Sequence, residues 1–353
     1  MPEVIKKTGV IGAGSFGTAI AQLLAYNTDV LLFTRQESTA AKINSGELHQ
    51  NIRLNPRIKA TTDPGEICDH CSVIFPIIPS INFRTVIKGF SPYLDPSHLL
   101  IHGTKGLDIG QISEDQLMAK THNHIDVYTM SEVIHQETSV LRIGCLAGPN
   151  LSKEILDGQP TATVIASPFD EVIQAGQRLL SSKQFFVFVS HFLKGAVIAG
   201  SLKNTVALGA GMLAGMGLGK NIQSMLITKG LAEMIYFGKA MGASVKSFLG
   251  TAGIGDLIAT ATSDDSRNYS VGKRLAQGEN LQDILESSTE VAEGIRTLRI
   301  LYPLMSYHKI LAPITAILYK VVFENYDLKK GISYLMNYPY KVDVDFIDAP
   351  DND

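Results

Sequence analysis

Residues Lys7 to Leu24, KTGVIGAGSFGTAIAQLL, leave little freedom in how this chain begins to fold. Gly9, Val10 and Ile11 close a short apolar strand. Gly12, Gly14 and Gly17 then form a G-x-G-x-x-G turn, and Thr18 to Leu24 continue as an Ala- and Leu-rich helix. The three glycines act sterically. Gly12 permits the sharp turn, Gly14 lets a pyrophosphate approach the backbone, and Gly17 lets helix pack on strand. The helix start offers N–H groups and the positive end of its dipole to phosphate. The pattern alone is a weak signal. Here it follows a strand and opens a helix near the N-terminus, and that context predicts dinucleotide binding.

A chain of 353 residues exceeds one ordinary core, so two domains are expected. Hydrophobic residues make up 45% and charged residues 18%, which places the chain in the soluble globular class. A net charge of −3 gives no electrostatic footprint for nucleic acid or an anionic membrane. The opening MPEVIKKTGV lacks the apolar core of a signal peptide. The nearly uncharged stretch Thr205 to Gly219 is too short and Gly-rich for a membrane span. Three cysteines without secretory context predict a reduced, cytoplasmic location. Cys68 and Cys71 form a C-x-x-C with no second pair or histidine cluster to complete a metal site, so no metal is expected and ordinary thiols are.

After the first helix the pattern alternates between strand and helix. Val30 to Phe33 is the second strand, followed by Arg35 where an NAD-selective unit places a carboxylate for the ribose. An arginine there can accept a 2′-phosphate or stack beside adenine, so NADP stands at least equal to NAD; Glu37 remains available to a ribose. Further strands are read at Ile58–Thr61, Ser72–Ile78, Leu99–His102, Ile143–Ala147, Ala162–Ala166 and Phe185–Val189. Ligands of open α/β sheets sit beyond the strand carboxyl ends, which places Pro79-Ser80 and Thr104-Lys105 near a cofactor. Lys105 is therefore either a cation for substrate or cofactor, or a solvated loop residue. Residues 111–127, with His122 and His124, read as a surface insertion.

From His191 strand signals nearly vanish and helical ones dominate. The expected fold is α/β: an N-terminal Rossmann-type dinucleotide-binding domain over 1–190, an all-α substrate-binding and catalytic domain over 191–340, and an acidic tail over 341–353. Ala196 to Met212 reads as a buried helix with one conspicuous charge, Lys203, in a lane of Ala and Gly. A buried ammonium needs a partner or a shifted pKa, unless the side chain snorkels to solvent. Asp256 sits at a Gly-rich turn that can open a helix. Ser266, Arg267 and Asn268 precede a helix expected from about Tyr269, an arrangement suited to an oxyanion or phosphate.

In order and spacing these motifs resemble the bacterial NAD(P)-dependent glycerol-3-phosphate dehydrogenase family. The likeness runs from Gly9 to about Thr297 through GVIGAGSFGTAIA, TKGL, AGPNLSKEI, SLKN, ITKGLAEM, GTAGIGDLIAT, SRN and EVAEG. It implies NADPH or NADH contacts from Ser15 and Phe16 in the Gly-rich loop and from Arg35, Lys105, Ser152, Arg267, Val291 and Glu293. It implies substrate contacts from Lys105, Gly148, Asn150, Asp256, Ser266, Arg267 and Asn268, with Lys203 as proton donor and acceptor. The chain departs from the pattern in a shorter 51–63 loop, a longer 111–127 segment, and asparagine at position 150 where relatives often carry serine.

The implied reaction is reduction of dihydroxyacetone phosphate to sn-glycerol 3-phosphate and its reverse. The resemblance also implies a cytoplasmic homodimer feeding glycerophospholipid synthesis. An unperturbed lysine has a pKa near about 10.4, so nearby positive charge or burial must make Lys203 a usable acid. Two rivals share parts of the pattern. A 3-hydroxyacid dehydrogenase or a ketopantoate-type reductase shares the layout and a helical lysine but does not need the phosphate-suited Ser266-Arg267-Asn268. A redox sensor that only binds the dinucleotide needs no proton donor.

Overall fold

Short apolar runs buried on both faces form the sheet expected of a parallel α/β unit. The strands are β1 (Lys7–Ile11), β2 (Asp29–Phe33), β3 (Ile58–Thr61), β4 (Val73–Pro76), β5 (Leu99–His102), β8 (Arg142–Ala147), β9 (Thr161–Ala166) and β10 (Phe185–Ser190). They pair in the order β10-β9-β8-β5-β4-β1-β2-β3. Pairing is parallel except between β8 and β9. A computed structural model describes residues 5–110, 112, 116, 125–288, 292–339, 342–344 and 346 of the chain. Its contacts divide the chain into two units, Met1–Asp108 with Tyr128–Leu193, and Ile109–Val127 with Lys194–Asp353.

In the first unit the chain moves outward from β1 through β2 to β3, then returns to β4 on the other side of β1. This reversal at β1 and β4 opens a crevice at their carboxyl ends. Helices α1 (Ser15–Leu24), α2 (Glu37–Ser45), α3 (Pro64–His70) and α4 (Ser80–Phe90) cover the sheet, with a core on each face. α5 (Met130–Glu137), α6 (Ser152–Leu156) and α7 (Asp170–Leu180) complete this unit. The fourth strand is shorter than the sequence suggests. The Ile78 N–H and C=O leave the ladder and pair with the Thr104 hydroxyl at 3.3 and 2.6 Å.

An antiparallel pair, β6 (Leu107–Asp108) and β7 (Tyr128–Thr129), flanks positions 111–127 in the chain. Arg84 clamps this pair. Its guanidinium donates to Asp108 at 2.6 and 3.0 Å and to Glu137, and lies 5.7 Å from the Tyr128 ring centroid. His122 and His124 lie outside the described residues.

Cys68 lies in the last turn of α3 and Cys71 is its C-cap, both buried and unbridged. Burial pushes each thiol up to about 12. A helix C-terminus also disfavours a thiolate, the opposite of a redox C-x-x-C at a helix start. Among the described residues no group of three or more metal-ligating side chains is gathered.

The second unit is helical: α8 (Leu193–Gly215), α9 (Lys220–Ala240), α10 (Asp256–Thr262), α11 (Arg267–Ala276), α12 (Leu281–Ser287), α13 (Glu293–His308), α14 (Pro313–Phe323) and α15 (Leu328–Met336). α8 spans 23 residues, longer than the sequence reading, and by length and composition alone passes for a membrane span. Its apolar window is fully buried inside the protein, which makes it a core helix. In the 341–353 tail, Asp343 accepts from Lys229 at 3.1 Å and Phe346 is buried.

The Glu233 carboxylate on α9 caps the first turn of α14. It accepts from the Ile314 N–H at 2.6 Å, the Thr315 N–H at 2.9 Å and the Thr315 hydroxyl at 2.7 Å. Burial nonetheless pushes its pKa up to about 7, from 4.5. The folded protein therefore holds a proton that the unfolded chain has released between those values, and stability falls as pH rises across them. We expect the denaturant midpoint to drop between pH 5 and 7.5, and Glu233→Gln to flatten that slope. An unchanged slope in the variant would assign the pH dependence to other groups.

Candidate active site

The Gly-rich turn joins β1 to α1 at the sheet crevice. Gly12 has φ +116°, and a Cβ on Gly17 would stand 1.8 Å from the Gly12 carbonyl oxygen. The turn can close only with glycine at these positions. Gly14 meets nothing within 4 Å, so the space a side chain would take is open. The start of α1 carries neither a capping side chain nor an acidic residue in its first turn. This is what a dinucleotide pyrophosphate requires, and the residues present fit that group. Ser15 and Phe16 lie half-buried in the first turn. Arg35, just past β2, is exposed and has no hydrogen bond or ion pair among the described residues.

Neighbouring strands β5 and β8 bring Lys105 and the Gly148-Pro149-Asn150 turn together. The Lys105 ammonium donates to the Gly148 carbonyl at 2.8 Å, and the Asn150 amide donates to the same oxygen at 3.0 Å. The amide also donates to the Thr163 hydroxyl at 3.0 Å, which itself donates to the Ala147 carbonyl. Asn150 Oδ1 is buried without a hydrogen-bond partner. An orphaned buried acceptor is costly unless a ligand supplies the donor. Ser152 opens α6 directly after this turn.

In the helical unit, Lys203 is 4% exposed and does not snorkel. Its ammonium pairs with Asp256 and donates to the Thr260 hydroxyl. Asp256, 1% exposed, is the first residue of α10, and Thr260 lies one turn later on the same face. The Thr260 hydroxyl also donates to the Asp256 carbonyl at 2.7 Å, which holds the three side chains as one cluster.

The small residues beyond Lys203 serve helix packing rather than ligand access. A Cβ on Gly211 would sit 2.0 Å from the Tyr269 carbonyl oxygen, and one on Gly272 2.0 Å from that of Leu208. Glycine on both sides lets α8 and α11 touch backbone to backbone. That contact sets the start of α11 beside the Lys203 turn: the Asn268 amide donates to Asn204 Oδ1 at 3.0 Å. Asn268 Oδ1 in turn accepts from the Gly294 N–H at 2.8 Å, which ties in the start of α13. α11 begins at Arg267, two residues earlier than expected, because the Ser266 hydroxyl caps it by accepting from the Tyr269 N–H. Ser266 and Asn268 are buried and Arg267 is exposed.

Residues 7–173 match the family described as NAD-dependent glycerol-3-phosphate dehydrogenase N-terminus, and residues 193–333 match its C-terminus. The chain belongs to the NAD-dependent glycerol-3-phosphate dehydrogenase family. It is 39% identical to a glycerol-3-phosphate dehydrogenase (NAD(P)+) of Azotobacter vinelandii over 343 residues, 96% of each chain. It is 37% identical to one from Teredinibacter turnerae over 344 residues, 96% of this chain and 97% of the relative. The solved structure of a glycerol-3-phosphate dehydrogenase from Coxiella burnetii superposes with a TM-score of 0.85 at 25% identity, covering 95% of this chain and 100% of that one.

Seen as a glycerol-3-phosphate dehydrogenase, the chain carries its expected residues in two groups. Gly12, Gly14, Ser15, Phe16, Gly17, Arg35, Lys105, Gly148, Asn150 and Ser152 lie in the first unit. Lys203, Asp256, Ser266, Arg267, Asn268 and Glu293 lie in the second. Val291 lies outside the described residues, and Glu293 is the first residue of α13. Thr260 and Asn204 were not singled out from the sequence. Thr260 carries a detectable signal, a threonine one helical turn after an acid, once α10 is known to start at Asp256.

Proposed function

We propose that this chain reduces dihydroxyacetone phosphate to sn-glycerol 3-phosphate with NADPH or NADH, and runs the reverse oxidation; its relatives are named glycerol-3-phosphate dehydrogenase (NAD(P)+). The observation that supports this most strongly is the buried Lys203–Asp256–Thr260 cluster with Ser266-Arg267-Asn268 anchored next to it through Asn204. A fixed proton source and an anion site together suit a carbonyl compound that carries a phosphate.

The hydride for the substrate carbonyl carbon would come from the reduced nicotinamide when it is bound. The chain's own residues do the rest. Lys203 polarises the carbonyl oxygen and delivers a proton to it as negative charge develops, then regains one from solvent. Asp256 and Thr260 hold the lysine in place. Arg267, the Asn268 amide and the Ser266 turn take the phosphate at the start of α11. Lys105 and Asn150 are the further substrate residues, and Ser152 and Glu293 the further cofactor residues, that the family resemblance implies. Labour thus divides between the domains 1–190 and 191–340. Homodimer formation, a cytoplasmic location and supply of glycerol 3-phosphate to phospholipid synthesis rest on the family resemblance.

The test is steady-state oxidation of NADPH with dihydroxyacetone phosphate against 2-oxopantoate and a 3-oxo acid. A kcat/KM highest for dihydroxyacetone phosphate supports the assignment; a preference for either carboxylate substrate contradicts it.

Arg35 bears on cofactor choice, since its guanidinium is exposed where a ribose-binding carboxylate would stand in an NAD-selective fold. Arg35→Ala should raise the KM for NADPH about tenfold and that for NADH by less than about twofold, the signature of one lost charge-assisted contact. Equal effects on both cofactors would remove Arg35 from 2′-phosphate recognition.

A further inference from the structure

The connection between α2 and β3 does not run loosely over the surface. Asn44 pairs with both backbone groups of Ala60, at 2.9 and 2.8 Å, and the Asn55 N–H donates to Gln22 of α1 at 2.7 Å. Between these anchors the chain makes a tight hairpin. His49 and Ile52 exchange both backbone hydrogen bonds, at 2.9 and 3.0 Å. Gln50 and Asn51 turn it with φ +51° and +62°. Two successive left-handed residues make the turn type that normally recruits Asn-Gly, so a glutamine in the first place is held there by its surroundings.

Those surroundings are the Gly-rich loop. His49 Nε2 lies 2.9 Å from the Ala13 carbonyl oxygen, between Gly12 and Gly14. A carbonyl only accepts, so Nε2 carries the hydrogen. On the next residue, Gln50 Oε1 accepts from the Ser15 hydroxyl at 3.5 Å, the outer limit of such a bond. The Ala13 carbonyl belongs to the peptide unit whose N–H is that of Gly14. In a planar trans peptide the two groups point in opposite directions, so fixing the carbonyl on His49 also fixes the Gly14 N–H.

We propose that His49 is a positioning residue for the dinucleotide: it locks the Ala13–Gly14 peptide and, through its hairpin, sets Gln50 beside Ser15 at the edge of the phosphate site. This rests on the dinucleotide-binding reading above. Its energetic basis is preorganisation, because the loop enters binding with the glycine N–H already aimed.

The test is fluorescence titration of NADPH on the apo protein, at a temperature where circular dichroism shows each variant folded. His49→Ala should weaken NADPH binding about tenfold, and His49→Gln, which keeps a donor on its Nε2, should recover it to within about threefold. Asn51→Pro, whose ring cannot adopt φ +62°, should weaken binding as much as His49→Ala does. NADH should weaken in parallel, since the Gly-rich loop does not read the 2′-phosphate. A purely structural role would lower the melting temperature and leave the dissociation constant of the folded variant within about twofold of wild type, which would overturn the proposal. Wild type that fails to bind NADPH at all would overturn the cofactor reading itself.

Discussion

Replacing Lys203 by alanine should lower kcat by roughly 10² to 10⁴, the range for losing a general acid, with NADPH affinity nearly intact. The affinity should hold because the Gly-rich loop, Arg35 and Ser152 belong to the other unit. The substitution has a second consequence. Asp256 is 1% exposed and pairs with Lys203, so the variant buries a lone carboxylate. Breaking a buried pair from one side costs about 3–5 kcal/mol of stability. Lys203→Met combined with Asp256→Asn removes that charge imbalance, and it should be as inactive as the single variant while regaining melting temperature. Turnover within about threefold of wild type in either folded variant would end the assignment of Lys203.

Arg267→Ala should abolish the preference for a phosphorylated substrate. The side chain is exposed on the first turn of α11, so its loss leaves the Ser266 cap and the Asn268–Asn204 bond in place. A charge-assisted contact to phosphate is worth on the order of 2–4 kcal/mol in the transition state, or roughly 30- to 1,000-fold in kcat/KM. That loss should appear with dihydroxyacetone phosphate and be absent with unphosphorylated dihydroxyacetone. Equal losses on both would place the phosphate elsewhere.

Residues whose chemistry contradicts their surroundings were readable from the sequence. Lys203 stands out as a charge in an apolar helix, and the three glycines after β1 stand out because no other residue closes that turn. Residues whose role depends on a distant partner were not. Thr260 joins Lys203 across 57 positions of chain. Asn204 meets Asn268 only because Gly211 and Gly272 bring two helices into backbone contact. Glu233, within ITKGLAEM, becomes a cap only when α14 folds back onto α9. The His49–Ile52 hairpin carries no sequence signal because Gln-Asn lacks the glycine that usually marks such a turn. The C-x-x-C invites a redox reading, yet burial and a helix end make its thiols inert.

The most direct measurement follows both products of one reaction. Purified protein is mixed with NADPH and excess dihydroxyacetone phosphate; cofactor oxidation is read by absorbance, and the organic product by phosphorus NMR and a chiral assay. One sn-glycerol 3-phosphate is expected per NADPH consumed, with no opposite enantiomer and no product from the Lys203→Met/Asp256→Asn variant. NADPH that binds but is not oxidised by this substrate, or oxidation without glycerol 3-phosphate, would contradict the assignment.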